Sequence, residues 1–131
     1  MAGSRAAKLE RLVRVQRQLE RMAETLLSQT LREQVSVDDT RSALVDAVGS
    51  FDPVHAAMSR NYAQRFQRLS AKSQQLEGMK SVQEKRVLTE KTKADRLADQ
   101  AAAAAGNEER AAADEALLDL LEASLRYRAS D

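Results

Sequence analysis

The chain has 131 residues, of which 31% are charged and only 3% aromatic, with one Pro, four Gly, no Trp and no Cys. The absence of Cys excludes disulfides and thiolate metal sites, and so few aromatics exclude the usual large-side-chain globular core. Formal net charge is +1, but the charge is unevenly placed. Residues 1–21 hold six basic groups against two acids, residues 60–96 ten against four, and residues 99–131 three against eight.

Ala, Leu, Arg, Glu, Gln and Lys dominate what remains, and all are strong helix formers. Disorder is the alternative for a charged, aromatic-poor chain, but the apolar residues are periodic. The composition predicts an all-α fold, a long antiparallel two-helix coiled-coil hairpin with an amphipathic C-terminal helical extension, forming one domain over residues 1–131. No run approaches the roughly 20 apolar residues of a membrane span, and residues 101–105 are too short and too weakly apolar. Residues 1–21 lack the apolar core of a secretory signal. A soluble, cytoplasmic protein is expected.

The first helix is predicted over about residues 4–48, with Ser4 as N-cap. Its seam reads Leu9, Leu12, Leu19, Ala23, Leu26, Val37, Leu44 and Ala47, with Gln16, Thr30, Glu33 and Thr40 between them, a degraded heptad pattern. Val13, Val15, Leu27, Leu31 and Val35 widen the stripe, so this helix can contact more than one neighbour. The turn falls at 49–53. Gly49 is expected to supply a left-handed helix stop, Asp52 a cap, and Pro53 the first position of the next helix.

The second helix is predicted over about 53–105. Its seam is Met58, Tyr62, Phe66, Leu69, Ser73, Leu76, Lys80, Gln83, Val87, Glu90, Ala94, Leu97 and Ala101. Polar seam residues cost stability but fix register. Gly78 is read either as tolerated on an exposed face or as a soft point. Gly106 and Asn107 mark a weaker boundary. A third helix over about 107–128 is expected, with Asn107 as cap and Glu108 and Glu109 at its positive end; the alternative is that the second helix runs straight through.

A helix from 4 to 48 extends ~67 Å. Pairing about a turn near residue 51 places Lys8 close to Lys93 and Arg14 close to residue 87. Beyond residue 97 the chain either extends or folds back, and Coulomb attraction between its acids and the basic N-terminal stretch favours folding back.

Two sets of residues are candidates for partner binding. Arg11, Arg14, Arg17 and Arg21 step by three and four along one helical face. Such a stripe can bind the phosphates of nucleic acid or an anionic membrane surface, though no aromatic stacking platform accompanies it, so nucleic acid is not the expected partner and a solvated face is the plainer reading. Leu117, Leu120, Leu121 and Leu125 form an apolar stripe beside Leu118, with Asp114, Glu115, Asp119 and Glu122 at other positions. This stripe can pack within the protein, form a homodimer, or enter a partner's groove. His55 is the only histidine and has no Cys or second His to complete a metal site. No phosphate loop, nucleophile elbow or dinucleotide fingerprint is present, so no catalytic residue, metal or cofactor is assigned and an enzyme is not expected.

Residues 66–77 (FQRLSAKSQQLE), 82–91 (VQEKRVLTEK) and 94–97 (ADRL), set in a charged, leucine-poor helical hairpin, resemble the FliJ-like proteins of flagellar export and their YscO-like relatives in type III secretion. The resemblance covers most of the chain through its architecture. It implies a cytoplasmic component of the export apparatus, a stalk or chaperone that engages the export ATPase ring and the export gate protein. No binding residue follows from it.

Overall fold

The computed structural model describes residues 4–130; residues 1–3 and 131 of the expected domain lie outside them. The fold is all-α. Three helices follow in chain order, α1 (Arg5–Val48), α2 (Pro53–Ala57) and α3 (Ser59–Ser130), and no strand occurs among the described residues. Contacts gather into two units, Leu19–Glu90 and Met1–Gln18 with Lys91–Asp131. Both long helices contribute to each.

Within the unit 19–90, α1 buries Ala23, Thr30, Val37 and Leu44, with Glu20, Leu27, Gln34 and Arg41 half-buried. On α3 the covered residues are Tyr62, Phe66, Leu69, Ser73, Leu76, Lys80, Gln83, Val87 and Glu90, with Ser70 beside Leu69. Apart from Thr40 and Ser70, which are also half-buried, both series alternate steps of three and four, so each helix turns one face inward. The α3 face is the one its periodicity implied, except that Met58 lies outside it. The α1 face departs from the expected one: Leu19 and Leu26 remain 42% and 49% exposed, while Leu27 and its heptad partners turn inward. The stripe on α1 is wide enough to seal in two ways, which share Ala23, Thr30, Val37 and Leu44 and differ in whether Leu26 or Leu27 completes the seam. The adopted way brings Gln34 and Arg41 to partners on α3. Gln34 donates to Glu77 at 2.9 Å, and Arg41 lies over the Phe66 ring at 5.2 Å and reaches Ser73 Oγ at 3.5 Å. Lys72 and Glu33 form an outer ion pair at 2.9 Å. Gly78 faces solvent with nothing near the position of a Cβ.

The connection is longer than a four-residue turn. Gly49 N–H donates to the Val45 carbonyl and Ser50 N–H to that of Ala47, which closes α1 with a tightened last turn. Gly49 does this without a positive φ, so the left-handed stop expected there is not used. Asp52 caps α2, accepting from Val54 N–H at 2.8 Å, with Pro53 in the first turn. The helix then breaks at Met58 (φ −93°, ψ 0°) and resumes at Ser59 as α3. The expected single helix from residue 53 is thus interrupted in the first instance by Met58.

Within the unit Met1–Gln18 with Lys91–Asp131, the core is made of alanine. Ala6, Ala94, Ala101 and Ala104 are buried, Ala94 completely, with Leu9, Val13, Gln16, Leu97 and Ala98 half-buried around them. Ser4 caps α1 by accepting from Ala7 N–H at 3.2 Å. A second cap comes from α3: Ala6 N–H donates to Glu108 Oε1 at 3.1 Å. Arg17 pairs with Asp95 at 3.0 Å. These contacts correct the expected register. Arg17 and Ala6 meet residues roughly eleven to thirteen positions further along α3 than a turn at residue 51 provides, and the longer connection through Met58 accounts for about half of that displacement. Lys8 therefore does not face Lys93, nor Arg14 residue 87.

The boundary expected at Gly106 and Asn107 is also absent. α3 passes through it without a break, so the separate helix over 107–128 does not exist and the straight-through alternative holds. A single helical Gly costs only about 1 kcal/mol relative to Ala, and the helix is anchored on both sides of it by Ala104 and Glu108. Asn107 accepts from Arg110 instead of capping a new helix. Glu108 serves the positive end of α1, not of a third helix.

Candidate interaction site

Beyond Glu108, α3 continues with every described residue from 109 to 130 exposed. Ala, Leu, Glu and Arg favour the helix there, and the Glu122–Arg126 pair at 3.9 Å lies along its surface. Leu117, Leu120, Leu121 and Leu125 are 52–69% exposed. Leu117, Leu121 and Leu125 follow one another at four-residue steps, so they stack on one face, with Leu118 and Leu120 to either side. Glu115, Asp119 and Arg126 occupy the opposite face. The helix therefore carries a wide leucine stripe that nothing in its own unit covers. The segment does not fold back onto α1.

The arginine stripe is less uniform than its spacing implied. Arg11 and Arg14 are exposed. Arg17 is engaged by Asp95. Arg21 belongs to the unit 19–90, where its carbonyl accepts from the Thr25 hydroxyl and its side chain lines an open, mixed-charge groove with Glu24, Ser28 and Arg32.

His55 packs in the connection, edge-on to Tyr62 with ring centroids 6.0 Å apart. Among the described residues no group of three His, Cys, Asp or Glu side chains gathers as a metal site requires, and no helix is long and apolar enough to cross a membrane.

One surface was missed from the sequence. Phe51 is fully exposed, and Val45, Val48, Val54 and Met58 are exposed around the same connection. An apolar groove beside it is lined by Leu44, Val45, Val48, Ala63, Phe66 and Gln67. The available signal was the apolar residue at every third position from Val45 to Val54, which runs through the turn. Comparison with protein families, curated proteins and solved structures finds no match to this chain.

Proposed function

We propose that the chain is a non-enzymatic interaction protein, an antiparallel two-helix coiled-coil hairpin that docks a helical protein partner through residues 109–130 of α3. The observation that carries this reading is the leucine stripe on a segment exposed at every described position. Leaving a Leu side chain in water forgoes about 1.5–3 kcal/mol of burial, and contiguous apolar stripes of this kind mark interaction sites. The three–four spacing of most covered residues between 20 and 90 supports the coiled-coil description. The hairpin then serves as the scaffold that presents the docking helix.

The resemblance to FliJ-like proteins supplies a concrete setting: a cytoplasmic stalk or chaperone in flagellar or type III export, with the export ATPase ring and export gate protein as partners. The test uses the full chain with purified export ATPase, alongside a Leu117→Asp/Leu121→Asp variant. The expected result is a complex with the parent chain that the variant loses while keeping its helical circular dichroism. Absence of any complex sinks the export setting. A complex unaffected by the double substitution moves the docking site away from 109–130.

A further inference from the structure

The exposed face of residues 109–130 has an internal symmetry. Asp114, Leu117, Leu121, Leu125 and Arg128 are separated by three, four, four and three residues. At 100° per residue they fall within an arc of about 80°. Each lies in the fully exposed part of α3. The series reads the same from either end except for the sign of its terminal charges.

We propose that this face binds a second copy of the chain, antiparallel, with the two-fold axis at Leu121. This rests on the docking reading of the same segment and names its occupant. In such an isologous contact, residue i meets residue j and j meets i. Leu121 meets Leu121 of the second copy, Leu117 meets Leu125 twice, and Asp114 meets Arg128 twice. Three apolar layers are closed at each end by an ion pair. A parallel pairing keeps the leucine layers but sets Asp114 against Asp114 and Arg128 against Arg128, repulsive at both ends. Charge therefore selects the antiparallel arrangement. The segment is acidic as a whole, but Glu115 and Asp119 lie on the opposite face, and Glu122 is paired with Arg126. Solvated charges on the outer surfaces of two packed helices are separated by more than the Debye length of about 8–10 Å in physiological salt.

The chain has no cysteine, so single-cysteine variants report register cleanly. Under mild oxidation Leu121→Cys should cross-link with itself. Leu117→Cys and Leu125→Cys should each remain uncross-linked alone and join when mixed. Sedimentation of the parent chain should give a dimer of the 14.5 kDa protomer that dissociates on dilution. Asp114→Arg or Arg128→Asp alone should weaken it about 10-fold, from two altered pairs per dimer, and the double exchange should restore it. Leu121→Asp should weaken it by about 100-fold or more, since two carboxylates then face each other in an apolar layer. A parent chain that is monomeric at every concentration, or self-cross-linking at 117 and 125 separately, overturns the second-copy assignment. Capture of export ATPase that depends on Leu121 leaves the docking reading standing in that case. A Leu121→Asp variant that changes neither dimer mass nor capture overturns both.

Discussion

Glu108 carries the sharpest test of how the alanine-cored unit is held. Its Oε1 accepts from Ala6 N–H at 3.1 Å, one of the first-turn amides of α1 that no helical carbonyl can satisfy. Ser4 Oγ takes the next amide, that of Ala7, and the Ser4 carbonyl that of Lys8 at 3.0 Å, so neither substitutes for Glu108. Replacing Glu108 by Ala removes a charge-assisted hydrogen bond, about 1.5–3 kcal/mol where dry. It also removes a favourable charge at the helix's positive end, about 0.3–1 kcal/mol. Glu108 is half-buried, so water recovers part of the loss and the net cost is about 1–2 kcal/mol. Glu108→Gln keeps an acceptor and loses the charge, and should cost about 0.5 kcal/mol. Amide exchange read residue by residue should accelerate at Ala6 by roughly 5- to 30-fold in the Ala variant, less in the Gln variant. The difference between the two should shrink in 1 M salt, where the Debye length is about 3 Å. Equal exchange at Ala6 in all three proteins refutes the cap.

Three further substitutions test the packing. Gly78→Ala places a methyl group in open space within a helix and should stabilise by about 0.5–1 kcal/mol in urea denaturation. Ala94→Leu forces extra carbons into a site with no exposure, and should destabilise by about 1–3 kcal/mol. Leu26→Ala and Leu27→Ala form a matched pair on adjacent residues: the first, 49% exposed, should cost under about 0.5 kcal/mol, the second, half-buried, about 1–2 kcal/mol. Reversal of that order means that α1 seals on its other face.

That last pair marks where the sequence was legible. On α3 the apolar residues Tyr62, Phe66, Leu69, Leu76, Val87 and Leu97 lie on one face with few rivals, and that face is the covered one. On α1, Leu19 and Leu26 compete with Leu27 one position away, and period alone cannot choose between stripes so close. The choice is made across the interface, by what Gln34 and Arg41 meet on α3. The reversal was legible in Gly49, Asp52 and Pro53. The register was not, because nothing local states that the helix breaks again at Met58 and lengthens the connection, and that break supplies only part of the displacement. The leucine stripe at 117–125 could be read from spacing and the flanking acids. Its exposure could not, since periodicity reveals that a face is apolar but not whether it is covered. The exposed apolar cluster about Phe51 escaped notice for a related reason: a turn is read through its Gly, Asp and Pro, and an apolar residue among them is assumed to pack.

The continuity of α3 through Gly106 decides what remains available for docking. Folding residues 109–130 back onto α1 requires a break near Gly106, with loss of the adjacent backbone hydrogen bonds and of the Glu108–Ala6 contact. The opposing attraction is between solvated charges, about 1 kcal/mol per pair at 4 Å in water and less in salt. Arg17, one of the cations that would supply it, is already held by Asp95. The straight helix is thus favoured, and Gly106 is a tolerated residue, not a hinge. Gly106→Ala tests this directly. Its Cβ would meet Arg110 Nη1 at 3.9 Å, an ordinary contact, so the substitution should stabilise the helix by about 0.5–1 kcal/mol and slow exchange on both sides of residue 106. Exchange at the outer positions, 117–125, should keep its parent rates at protein concentrations too low for self-association. If the glycine is a hinge through which the segment folds back, stiffening it removes protection at 117–125, and exchange there accelerates; that outcome refutes the straight-helix reading.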